Sequence, residues 1–168
     1  KRITSKDRVF YMSIEEKLVQ TLAEMGLTIS TAESCTGGMV ASTIIDVVGA
    51  SDVYNEGFIT YSNEAKMKYL NVSEETLSKY GAVCEDVVRQ MAIGCRNATG
   101  SDASIVTSGI AGPGGGSVEK PVGLVYIACA YKDVVEAKEY RFDGDRTQIR
   151  TQATQEAIQM VMDLIENL

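Results

Sequence analysis

The chain contains no histidine and no tryptophan, and only two of its 168 residues are proline. Without histidine, a Ser-His-Asp triad, a Cys-His dyad and every His-ligated metal site are excluded together. A nucleophile in this chain has to be activated by Lys, Tyr, a carboxylate or a helix dipole. The four cysteines, Cys35, Cys84, Cys95 and Cys129, form no CxxC pair, so a thiolate metal centre is not expected. They read as buried, reduced thiols. No stretch approaches the roughly 20 apolar residues of a membrane helix. Positive charge is in deficit, with 16 Lys and Arg against 23 Asp and Glu and a net charge of −7. That balance argues against direct nucleic-acid binding, which draws its affinity from clustered cations.

What is present is ordinary globular composition, 45% hydrophobic and 23% charged, in a length that suits one domain with a full core. Residues 1–12 are polar and read as an N-terminal arm or linker, and residues 13–168 as the domain. Ser13 and Glu16 form a capping box for a helix with Ile14, Leu18, Leu22 and Met25 on one face, stopped by Gly26. Strands are expected at 27–32, 57–61, 104–107, 124–131 and 134–142, and helices at 39–47, 63–70, from Ser73, at 86–98 and at 147–167. This alternation, with one hairpin, predicts an α/β fold, a layered α/β/α sandwich on a sheet of mixed direction.

Three loops carry chemistry. The first, TAESCTGG at 31–38, joins a buried strand to a helix start. It places hydroxyls, a thiol and free N–H groups at the positive end of a helix dipole, which suits an anion or an oxyanion. Ser34 is the candidate nucleophile on a sharp turn. Cys35 is a rival, and capping of the helix by Ser34 or Thr36 is the plain alternative. The second, GFITYSNEAK at 57–66, offers Tyr61 and Lys66 in place of the missing histidine. A desolvated lysine loses its proton easily and can take one from serine, although most lysines are exposed. Tyr61 could relay a proton or stack on a flat ring. The third runs from Thr107 to Gly123 and holds both prolines, with five of the 15 glycines between 109 and 116. It matches neither the Walker pattern nor GxGxxG before a helix. Its backbone amides, from Ser108 through Gly109 and Ile110 to Ala111, could grip a phosphate or carboxamide. In FDGDR at 142–146, Arg146 could pair with a phosphate, and Asp145 or Thr147 caps the last helix.

Taken together, TAESCTGG at 31–38, GFITYSNEAK at 57–66, SGIAGPGGGSVEKPVG at 108–123 and FDGDR at 142–146 resemble the C-terminal domain of the CinA (competence/damage-inducible) family, in the family's order. The resemblance implies a three-layer α/β/α domain, commonly dimeric; the reduced thiols themselves fit a cytoplasmic protein. It implies hydrolysis of the carboxamide of nicotinamide mononucleotide to nicotinic acid mononucleotide and ammonia, with no metal and no cofactor. The family's serine falls on Ser34 and its tyrosine and lysine on Tyr61 and Lys66. Cys35, Thr36 and Gly37, the stretch Thr107, Ser108, Gly109, Ile110 and Ala111, and Arg146 would contact the nucleotide. The family also has two-domain members with an N-terminal domain like those that bind molybdopterin, and the arm at residues 1–11 fits the second half of such a protein. In that setting the alternative is a non-catalytic nucleotide-binding or dimerisation domain.

Overall fold

The computed structural model describes residues 12–168; the expected arm lies almost wholly outside them. Five strands form one mixed sheet: β1 (Ile29–Glu33), β2 (Tyr54–Ile59), β3 (Ala103–Gly109), β4 (Leu124–Tyr131) and β5 (Val134–Arg141). Their order is β2-β1-β3-β4-β5, with β1 parallel to β2 and β3, and β4 antiparallel to β3 and β5. Helices α1 (Ile14–Met25), α2 (Met39–Ile45) and α6 (Arg146–Glu166) share a core on one face. The other face is covered by α3 (Asn63–Leu70), α4 (Glu74–Tyr80) and α5 (Glu85–Thr99). The three-layer α/β/α expectation therefore holds.

The period-two alternation of strands assigns side chains to layers. Ile29 of β1 and Ile105 of β3 join the α1/α2/α6 core, while Ala32 and Val106 join the α5 core. Both β3 and β4 are buried almost throughout, as interior strands covered on both faces must be. Cutting Ile105 or Ile127 back to Ala would cost about 2–5 kcal/mol.

Local signals hold at several ends. The Ser13–Glu16 capping box is complete, and Gly26 closes α1 in the left-handed conformation. Met25, expected on the apolar face, is instead 49% exposed, and Val19 takes a buried place. Asp145, with Gln148, caps α6. The expected strand at 57–61 begins three residues earlier, at Tyr54, and ends at Ile59. It is an edge strand with Asn55, Glu56 and Gly57 exposed, so no apolar alternation marked its start.

Chain order places the site. From β1 the chain crosses to β2 on one side and returns through α3, α4 and α5 to β3 on the other. The carboxyl ends of β1 and β3 are thus a topological switch point, where open α/β sheets bind ligands. Helix α3 is held there by a close approach to α5. A Cβ on Gly94 would lie 1.8 Å from the Leu70 carbonyl oxygen, so only glycine fits.

Candidate active site

Ser34 follows the last residue of β1, and its N–H bonds to the Thr107 carbonyl of β3 at 3.0 Å. The side chain is 8% exposed. Lys66, in the first turns of α3, is fully buried, with Nζ 3.0 Å from Ser34 Oγ. The ammonium also donates to the carbonyls of Thr60 at 2.7 Å and Tyr61 at 3.3 Å. Among the described residues it forms no ion pair with a carboxylate. Burial therefore pulls its pKa down to about 8, only weakly opposed by the Cys35 thiol.

The number of Nζ partners has a chemical consequence. A neutral lysine has two N–H bonds and one lone pair. With two carbonyls taking the N–H bonds, the lone pair is left for the Ser34 hydroxyl. That is the arrangement of a general base on a serine nucleophile.

The phenol of Tyr61 does not reach this pair. Its side chain is 63% exposed, and its oxygen accepts from Arg146 Nη2 at 3.3 Å. Of the two residues considered as base, the structure brings Lys66 to Ser34, while Tyr61 contributes its carbonyl and leaves its ring exposed. Arg146 also donates to the Gly112 carbonyl at 2.8 Å, so one guanidinium joins the β2–α3 loop, the glycine-rich loop and the start of α6.

Two residues not singled out from sequence hold the loop that carries Ser34. Glu33, buried at the end of β1, accepts from the Thr36 hydroxyl at 2.6 Å and from the N–H groups of Val40 at 2.8 Å and Ala41 at 3.0 Å. This rules out the plain alternative of a side-chain cap by Ser34 or Thr36. The N-cap of α2 is Gly38, which has no side-chain oxygen, and neither Ser34 nor Thr36 caps the helix. The positive end of α2 is therefore satisfied by an internal carboxylate and is no free anion site. Arg150, one turn beyond Arg146, donates from Nε to the Cys35 carbonyl and from Nη2 to the Thr36 carbonyl, both at 3.0 Å.

The remaining candidates divide. Cys35 is buried in the α1/α2/α6 core, and desolvation pushes its thiol up to about 11, which removes it as a rival thiolate nucleophile. The Gly37 N–H, in the stretch expected to contact the nucleotide, instead closes the turn onto the Ser34 carbonyl at 3.1 Å. The Thr107 hydroxyl lies 2.8 Å from that of Thr36 and supports the loop. The Ser108 hydroxyl donates to the Ala82 carbonyl, and the Ile110 N–H to the Leu124 carbonyl. A Cβ on Gly109 would meet that same carbonyl at 2.8 Å, and Ala111 is buried. The stretch Ser108–Ala111 thus continues the packing of the sheet more than it opens toward a ligand. A surface groove lined by Asp143, Gly144, Thr147 and Thr151 lies beside the start of α6 and contains none of the candidate residues. Among the described residues, no group of His, Cys, Asp and Glu is arranged to hold a metal ion, and no helix is long and apolar enough to cross a membrane.

A serine and a lysine in hydrogen-bond contact, buried together at the switch point of an α/β/α sheet, define a serine–lysine site on a layered α/β domain. The chain belongs to the CinA C-terminal domain family, whose model it matches over residues 11–165. It is 50% identical over 155 residues to a putative competence-damage inducible protein of Caldicellulosiruptor saccharolyticus, covering 92% of this chain and 38% of that protein. A CinA-like protein of Kosmotoga olearia is 51% identical over 149 residues, covering 89% of this chain and 36% of that protein. The chain thus spans little more than a third of the length of these relatives. The crystal structure of the competence/damage-inducible protein CihA from Agrobacterium tumefaciens superposes with a TM-score of 0.87 at 40% identity, covering 92% of this chain and 97% of that one. A CinA superfamily protein from Klebsiella pneumoniae gives 0.89 at 33% identity, with the same coverage of 92% and 97%.

Proposed function

We propose that this domain is a metal-independent amidohydrolase that deamidates nicotinamide mononucleotide to nicotinic acid mononucleotide and ammonia. The observation that carries the reading is the fully buried Lys66, without a counter-ion among the described residues, 3.0 Å from Ser34 Oγ. The substrate rests on the four sequence motifs and on membership of the CinA family.

In this reaction Ser34 Oγ attacks the carboxamide carbon as Lys66 takes its proton. Backbone N–H groups of the loop after Ser34 hold the developing oxyanion. The lysine returns the proton to the amide nitrogen, and ammonia leaves. Water, deprotonated by the same lysine, then releases the acid from the serine ester. The exposed ring of Tyr61 offers a flat face to the pyridine. Arg146 would exchange its contacts with Gly112 and Tyr61 for the 5′-phosphate. On this reading the protein works in the cytoplasm as a homodimer in the recycling of pyridine nucleotides. The test is ammonia release from nicotinamide mononucleotide by wild type and Ser34→Ala, with chelator present. Release by the wild type alone supports the proposal.

The short span against its relatives favours a second reading to be held beside the first. There the domain is the nucleotide-binding or dimerising part of a longer protein whose other part is a molybdopterin-binding-like domain. Thermal stabilisation by the nucleotide without ammonia release would favour it.

A further inference from the structure

Arg150 is a half-buried cation whose side-chain hydrogen bonds among the described residues both run to backbone of the nucleophile loop, and the reaction above gives it no task. Its two bonds fix two consecutive peptide planes, those of Cys35–Thr36 and Thr36–Gly37. Both peptides are trans, so in each the N–H points opposite to the C=O. With both carbonyls turned to the guanidinium on α6, the Thr36 and Gly37 N–H groups must turn away from it. The Gly37 N–H shows where that direction leads, because it lands on the carbonyl of Ser34. The Ser34 side chain and its partner Lys66 belong to the α3 side of the sheet, opposite α6. The Thr36 N–H therefore points from the arginine toward the nucleophile. Among the described residues it has no hydrogen-bond partner.

We propose that Arg150 is a positioning residue that aims the Thr36 N–H at the oxyanion formed when Ser34 attacks. This rests on the reading of Ser34 and Lys66 as a catalytic pair. Arg150 acts through the backbone and touches neither substrate nor Lys66. A lysine cannot reproduce it, because its single rotating nitrogen lacks the planar fork in which separate Nε and Nη2 donors hold the two carbonyls in fixed directions.

The experiment uses p-nitrophenyl acetate, which has a carbonyl but no phosphate. Ser34 Oγ bonds to the acetyl carbon, the bond to p-nitrophenolate breaks, and the serine proton goes to Lys66. The rate constant for acetyl appearing on the Ser34 peptide is followed by mass spectrometry from pH 6 to 10, with Ser34→Ala as the blank. Arg150→Lys and Arg150→Ala are expected to lower the plateau rate by about 10- to 100-fold, somewhat below the loss on deleting a whole oxyanion donor. The midpoint near pH 8 should stay in place. Guanidinium ion at millimolar concentration should restore part of the rate in Arg150→Ala and none in Arg150→Lys. An arginine that only bound the nucleotide's phosphate would leave the acetylation rate unchanged, which would overturn the proposal. A loss accompanied by a moved midpoint, or one that guanidinium leaves untouched in Arg150→Ala, would also overturn it, since that is general loosening of the loop. Absence of Ser34 acetylation in the wild type would overturn the Ser34–Lys66 reading itself, and this inference with it.

Discussion

Strand β1 has a buried polar cluster at each end, and the two are built differently. At its start, the Ser30 hydroxyl lies 2.6 Å from that of Ser101 and 3.1 Å from that of Thr99, and against the Cys95 thiol at 3.2 Å. Ser101 and Thr99 close the cluster on the carbonyls of Ala103 and Cys95. Every member is neutral, burial raises the Cys95 thiol to about 11, and the groups satisfy one another. At the other end, Lys66 is buried with a proton that its surroundings disfavour, next to a serine. A closed network of neutral groups stabilises the fold and does nothing more. A buried titratable group held off its ordinary pKa beside a nucleophile is poised to move a proton. The difference lies in whether the charge state is settled, since both clusters are buried and both are polar.

Substitution at the two ends should separate these roles, and the largest effects belong to the carboxyl end. Ser34→Ala should bring ammonia release to background with the melting temperature nearly unchanged, and Lys66→Met should lower kcat by about 10²- to 10⁴-fold. Next comes Glu33→Gln, which keeps one acceptor oxygen where three donors converge. It should cost about 1.5–3 kcal/mol in denaturant unfolding, in line with hydrogen bonds to a charged group. The stability of Lys66→Met should depend on pH in a defined sense. Burial moves Lys66 from 10.5 to about 8, so below pH 8 the fold carries a buried cation. Between about 8 and 10.5 the unfolded chain holds a proton that the folded chain lacks, and wild-type stability rises with pH. Lys66→Met should therefore melt above the wild type at pH 7, with the gap closing as pH approaches 10.5. At the other end, Ser30→Ala should cost about 1 kcal/mol and leave kcat/KM unchanged. The smallest expected effect is the pH midpoint of Tyr61→Phe. It should stay where the wild type has it, because the phenol bonds to Arg146 and not to Ser34 or Lys66.

Much of the fold was legible because its signals are local. The capping box at Ser13, the bounds of α3, the doubly apolar β4 and the Asp145 cap are each written within a few residues. The site was legible in its residues but not in its geometry. Lys66 has no nearby residue to announce its burial. One clue was available, for Lys66 and Leu70 are four apart and share the buried stripe of α3. Glu33 was placed in the loop because its partners Val40 and Ala41 lie beyond it in sequence. The signal there was a helix starting after Gly38, which leaves its first N–H groups without a side-chain acceptor. Arg150 acts across 115 residues, from Arg150 Nε to the Cys35 carbonyl. Only its spacing of one turn from Arg146, on the same helix face, could have drawn notice.

The central claim is that a neutral Lys66 activates Ser34. It is tested most directly by ammonia release from nicotinamide mononucleotide, measured with chelator from pH 6 to 10 in wild type, Ser34→Ala and Lys66→Met. Release by the wild type alone is expected, rising with pH to a plateau through a midpoint near 8. Equal release by wild type and Lys66→Met, or a wild-type rate that falls as pH rises through 8, would contradict it.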